Sequence, residues 1–245
     1  MLNIELPDGT AEAIFAAPSS GQGPGVLMFM DAYGLRPRIQ ELAERVASWG
    51  YVVLAPNVFY RDGTVAELAF GDQPATPQDQ QARWARIGPR MANLTAERAL
   101  ADIDGYVAAL RGRPEVTGGP LGTVGFCMGG RLAVRAACRQ PDEFAACAGF
   151  HTGGLVTDDA DSPHLALGSA KAEFVFGHAD HDRSMTPENV ATLGDALLAA
   201  GVTAINVVVP DAAHGYTMSD TPAWNEAASE WAFEQLRELY DRTLR

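Results

Sequence analysis

Cys127 lies in Gly125-Phe126-Cys127-Met128-Gly129-Gly130, with a glycine two residues before it and another two residues after it. That spacing is the GxSxG nucleophile elbow with Cys in place of Ser, in which a strand reverses sharply into a helix and lifts one side chain off the end of the sheet. Small residues flank the turn because the turning residue is strained and its neighbours approach backbone closely. In such an elbow the backbone N–H of the next residue, here Met128, faces a developing oxyanion. The thiol stands at a helix N-terminus, a setting that suits a reactive cysteine. Two other readings fit the same residues: a buried structural thiol, or a phosphate loop, although neither GxGxxG nor GxxxxGK[ST] is present.

A thiol nucleophile needs a base for its proton, and the base needs a carboxylate to fix its tautomer. Five histidines compete for the first role: His151, His164, His178, His181 and His214. Only His214 follows the last expected strand and precedes a glycine in a short loop. Asp180 and Asp182 both follow the strand before it, and Asp180, nearer the strand end, is taken as the acid. Cys127, Asp180 and His214 then fall in the chain order nucleophile, acid, histidine of α/β-hydrolases. Either aspartate could equally be a turn or helix-start carboxylate.

The elements that would position these residues alternate strand and helix. LNIELPDGTAEAIFAAP reads as two strands around a Pro-Asp-Gly turn, and VLMFMD from Val26 as a strand buried on both faces. Ile39, Leu42, Val46 and Trp49 follow at helical spacing, and Tyr51 to Pro56 is another buried strand. Residues 57–77 read as a long loop with turn signals at Asp62-Gly63 and Gly71-Asp72, and Gln78 to Arg90 as a polar helix stopped by Gly88-Pro89. A helix carrying Leu100, Ile103, Val107 and Leu110 leads to the elbow strand. Phe144 to Phe150 and Ala172 to Gly177 are further strands, the second delivering Asp180. Thr186-Pro187 opens a helix, Ile205 to Pro210 is the last strand, and Thr221-Pro222 is expected to open a closing helix faced by Trp224, Ala228, Trp231, Leu236 and Leu239. This pattern predicts one domain over residues 1–245, with a mainly parallel sheet covered by helices on both faces. In such sheets function collects at the carboxyl ends of the strands, where Asp31, Cys127, Asp180 and His214 all stand.

Composition narrows the class. At 245 residues and 47% hydrophobic content the chain can bury a substantial core. Its 18 basic and 31 acidic residues give a net charge of −13, which disfavours nucleic acid and anionic membrane surfaces as partners. No apolar run approaches the ~18 residues of a membrane span, and the N-terminus has no basic-then-apolar leader, so a cytoplasmic protein is expected. Three cysteines without a CxxC pair suit a reducing compartment and point to no zinc site; Cys138 and Cys147 read as core.

Cys127 in GFCMGG, Asp180-His181 after FVFG, Ala213-His214 after the last strand, and MDAYGL at 30–35 together resemble the dienelactone hydrolase family over nearly the whole chain. The resemblance implies an α/β-hydrolase fold that hydrolyses a small-molecule ester or lactone through Cys127, Asp180 and His214 without cofactor or metal. It implies that the N–H groups of Ala32 and Met128 hold the oxyanion. It also implies that Asp31, standing where the family has a glutamate, governs the protonation of the thiol. Tyr33, Trp84, Phe150, His151, Tyr216 and Met218 are expected to line the substrate site. Dienelactone hydrolases proper hold a substrate carboxylate with arginines, one of them four residues after the histidine, where this chain has Met218. Arg83, Arg86 or Arg90 could supply another, although each also reads as a surface arginine. The loss at Met218 leads to the expectation that neutral esters and lactones gain over anionic ones. A redox-responsive or ligand-binding protein on the same fold, and a nucleotide-binding protein, are the alternative readings.

Overall fold

The computed structural model describes residues 1–71 and 74–245. Asp72, half of one expected turn, lies outside the described residues. Eight strands form one sheet: β1 (Leu2–Leu6), β2 (Gly9–Ala16), β3 (Gly25–Phe29), β4 (Val52–Pro56), β5 (Leu121–Phe126), β6 (Phe144–Phe150), β7 (Glu173–His178) and β8 (Ala204–Val208). Their order is β1-β2-β4-β3-β5-β6-β7-β8. The pairs β1–β2 and β2–β4 are antiparallel, and every later pair is parallel. β3, β4 and β5 are buried at every residue, as continuous apolar runs covered on both faces must be. One face carries α1 (Pro37–Ser48) and α7 (Glu226–Thr243), joined by Arg45–Glu230 and by the Trp49 and Phe233 rings. The other carries α4 (Ala96–Arg111), α5 (Met128–Arg139) and α6 (Pro187–Ala200). The expected α/β architecture is therefore present. None of the described helices is long and apolar enough to cross a membrane.

Three local expectations are corrected. The long loop contains a short helix, α2 (Val65–Leu68), started by a reciprocal capping box between Thr64 and Glu67. The following helix, α3, runs Pro77–Asn93, through the expected stop at Gly88-Pro89. A proline costs a helix one N–H donor and crowds the preceding turn; here Ile87 and Arg90 on either side are buried, and Arg90 donates to the Leu68 carbonyl at 3.1 Å. The closing helix begins at Glu226, where Asn225 accepts from the Ala228 N–H, and not at Thr221-Pro222. Thr221 belongs to a turn bonded to the Met218 carbonyl, so Trp224 lies outside the helix and is exposed. A 3-10 helix at Pro163–Ser169 had no signal in the apolar pattern.

The junction between β5 and α5 is the tightest place in the fold. Cys127 has φ 53° and ψ −124°, a sparsely populated conformation for a residue with a side chain. A Cβ on Gly125 would sit 2.1 Å from the Gly129 carbonyl oxygen, and one on Gly129 would sit 2.5 Å from the carbonyl oxygens of Phe29 and Met30. The glycines thus let α5 fold back over its own strand and against the end of β3. Gly125→Ala is expected to cost about 3 kcal/mol or more, because only a backbone shift relieves the clash. Urea unfolding measures this, and a loss below about 1 kcal/mol would contradict the packing argument.

Candidate active site

Cys127 caps α5, His214 lies in the loop after β8, and Asp182 follows β7. The three meet although they are far apart in sequence. His214 Nε2 is 3.1 Å from Cys127 Sγ, and His214 Nδ1 is 2.6 Å from Asp182 Oδ2. Asp182 Oδ1 accepts from the backbone N–H of Ser184 at 2.8 Å and from its hydroxyl at 2.7 Å. Burial works against the charge on Asp182, yet the bonds from His214 and Ser184 hold its carboxyl below the usual range. Burial likewise opposes protonation of His214, but Asp182 and the Cys127 sulfur outweigh it and push the imidazole up to about 10.

The expected acid, Asp180, is not the partner of His214. Its Oδ2 accepts from the Asp211 N–H at 3.2 Å, and its Oδ1 lies 3.7 Å from the exposed His181 ring. The cause is the backbone after β7. The Asp180 N–H donates to the Ala212 carbonyl, which ties that residue to the neighbouring loop. His181 then turns with φ 53°, and the reversal brings Asp182 to the imidazole. Proximity to the strand end was a sound criterion for the loop and a wrong one for the residue, because a single left-handed residue redirects the chain.

Cys127 and His214 open on a cavity of about 290 Å³, lined among others by Asp31, Ala32, Tyr33, Trp84, His151 and Met218. Gln80 and the turn Thr221-Pro222-Ala223 complete it, and none of these four was expected from the sequence. Among the described residues no cluster of His, Cys, Asp and Glu could hold a metal ion.

The model of the dienelactone hydrolase family matches residues 11–244. The chain belongs to the dienelactone hydrolase family. It is 29% identical over 234 residues to a Salmonella typhi protein provisionally named a carboxymethylenebutenolidase, covering 93% of this chain and 81% of that one. It is 25% identical over 225 residues to the carboxymethylenebutenolidase of Pseudomonas sp. strain P51, covering 92% and 87%. In fold it is similar to a crystal structure from Klebsiella pneumoniae provisionally described as a dienelactone hydrolase. The TM-score there is 0.81 at 23% identity, covering 98% of this chain and 96% of that one.

Asp31 has Arg36 as its ion-pair partner. The carboxylate expected to act on the thiol is held by Arg36, whose Nη1 and Nη2 donate to its two oxygens at 2.6 and 2.9 Å. The Tyr33 N–H also donates to Asp31 at 3.0 Å, so the residue caps the turn that follows it. Arg36 carried no signal in the sequence, since an arginine five residues beyond an aspartate faces it only when the intervening turn has this shape. Its Nε and Nη2 also reach Asp220 in the loop after His214, at 2.5 and 3.2 Å.

Two expected lining residues sit behind the cavity. Phe150 is wholly buried in β6, and Tyr216 is wholly buried with its hydroxyl donating to the Gly177 carbonyl at 3.0 Å. Tyr33, Trp84, His151 and Met218 do line the cavity. His151 is fully buried at φ 41°, its Nε2 2.7 Å from Thr217 Oγ1 and its ring edge-to-face with His214 at 5.4 Å. Burial, reinforced by the charge on His214, holds His151 well below the ordinary histidine range. The three candidate arginines cluster on the Phe70 ring, with Arg83 also over Tyr33. None lines the cavity, and Arg83 and Arg90 are buried, contrary to a surface reading.

Cys138 and Cys147 are buried in the core. Burial pushes the Cys138 thiol up to about 12 and Cys147 well above the ordinary range. Limiting iodoacetamide is therefore expected to modify Cys127 at least about 100-fold faster than either, since reactivity follows thiolate content and access. Peptide mapping reads the outcome, and dominant labelling of Cys138 or Cys147 would refute the placement of Cys127 at an open site.

Proposed function

We propose that this protein is a cysteine-dependent hydrolase of small carboxylic esters or lactones. The observation that carries the reading is the relay Cys127 Sγ, His214, Asp182, with contacts of 3.1 and 2.6 Å, whose first two members line a cavity. His214 Nε2 takes the thiol proton, and the sulfur attacks the substrate carbonyl carbon. Asp182 holds His214 in the tautomer that presents Nε2 to sulfur and stabilises the imidazolium. The N–H of Met128 has no intrahelical acceptor, being in the first turn of α5, and with that of Ala32 it stabilises the oxyanion.

Collapse of the tetrahedral intermediate breaks the C–O bond, and His214 returns the proton to the departing alkoxide. A lactone stays attached at this stage as a ring-opened hydroxyacyl thioester. Water, deprotonated by His214, then attacks the thioester, and the thiol is restored with release of the acid. His151, kept neutral beside His214, adds no second positive charge when the imidazolium forms.

Turnover of a neutral aryl ester tests this. Cys127→Ala and His214→Ala are each expected to lower kcat by at least about 1,000-fold, with the double variant little worse than either, because members of such a relay act as a unit. Asp182→Asn should cost about 100- to 10,000-fold, whereas Asp180→Asn should stay within about threefold, having no contact with the imidazole. Steady turnover that survives His214→Ala would refute the mechanism.

A further inference from the structure

Among the described residues, no lysine or arginine lines the reaction cavity. Apart from Cys127 and His214, its only ionisable side chains are Asp31, Tyr33 and His151. His151 is neutral for the reasons given. Asp31 is a buried carboxylate, and an isolated one would dominate the field in such a space. It is not isolated, because Arg36 grips both of its oxygens. Arg36 and Asp220 line a separate, adjoining cavity and not the reaction cavity. Tyr33, with the Arg36 guanidinium 5.5 Å from its ring centre, borders both cavities. The cation that balances Asp31 thus approaches from behind the wall, and the charge on His214 is matched by Asp182, so every charge on the substrate side has a partner.

Resting on the hydrolase reading above, we infer that the Arg36–Asp31 pair is the specificity determinant that reserves this cavity for uncharged esters and lactones. A substrate carboxylate would enter beside Asp31 with no lysine or arginine to meet it and with the His214 imidazolium already matched by Asp182, and would lose its hydration without replacement. A cationic substrate would find a carboxylate whose two oxygens are already bonded. An uncharged acyl group loses little on entry and packs against Trp84, Met218 and Pro222.

The test uses three para-nitrophenyl esters of one length: γ-trimethylammoniobutyryl, its uncharged tert-butyl isostere, and glutaryl. The wild-type protein should hydrolyse the uncharged ester best by kcat/KM, with the glutaryl ester at least about 10-fold poorer. Arg36→Met should raise the cationic-to-neutral ratio at least about 10-fold by freeing the Asp31 charge. Asp31→Asn together with Arg36→Met should return that ratio to the wild-type value, and Arg36→Lys, which keeps the cation, should preserve the wild-type order. If Arg36→Met does not fold, Asp31→Asn alone is the measurement: with the Asp31 charge gone and Arg36 held by Asp220 alone, the glutaryl-to-neutral ratio should rise about 10-fold. The same order should appear in calorimetric affinities of the three corresponding primary amides for Cys127→Ala. That readout needs no turnover, so a failure of the hydrolase reading shows as lost ester cleavage with the affinity order intact. A wild-type preference for the glutaryl ester, or ratios that ignore both Arg36 and Asp31, would overturn the inference.

Discussion

The strained backbone at Cys127 is the constraint on which the site depends. A non-glycine residue at φ 53° and ψ −124° costs about 1–3 kcal/mol, and it persists because the surrounding packing leaves no alternative. Gly129 lies so near the Phe29 and Met30 carbonyls that no side chain fits, and Gly130 meets Thr152 in the same way. The elbow is therefore clamped between the ends of β3 and β6. Those strands also deliver Ala32 and His151, so Cys127, the loop after β3 and the floor of the cavity are placed by one set of contacts. Parallel register across β3, β5, β6 and β7 brings their carboxyl ends to the same edge, and the loops need only close the last few ångströms.

Two groups of paired charges stand at that edge, His214 with Asp182 and Asp31 with Arg36. Asp182, fixed by Ser184, gives the imidazole a permanent counter-charge. His151 is denied a proton by burial, so it can pack edge-to-face against His214 without opposing the imidazolium. On the opposite side Arg36 serves both Asp31 and Asp220, and in doing so it joins the loop after β3 to the loop that carries His214. Two segments separated by most of the chain are thereby held at a common spacing by one planar guanidinium, a geometry that a lysine ammonium would not reproduce bond for bond.

Much of this was legible in the residues themselves. The apolar runs of β3 to β7, the capping residues Thr186 and Pro187 and the glycines around Cys127 are local signals whose meaning depends on neighbours a few positions away. They led correctly to a mainly parallel sheet, and they placed Cys127 at the sharp turn from β5 into α5 and His214 in the loop after β8. Where local signals misled, a tertiary contact had overridden them: Ile87 and Arg90 carry α3 through Gly88-Pro89, and the turn bonded to Met218 delays α7 past Thr221-Pro222.

The sequence by itself determined the order of elements, the sharp turn at Cys127 and the loop of His214, because each follows from periodicity and from the steric needs of single residues. Tertiary structure decided which aspartate faces His214, what Asp31 touches, and which of the expected lining residues reach the cavity. Those outcomes turn on the direction of a side chain after one left-handed residue, as at His181, or on a partner brought from another loop, as with Arg36 and Asp220. A pattern along the chain records which residues are present, but the angle at which two loops meet is fixed only when the sheet beneath them is assembled.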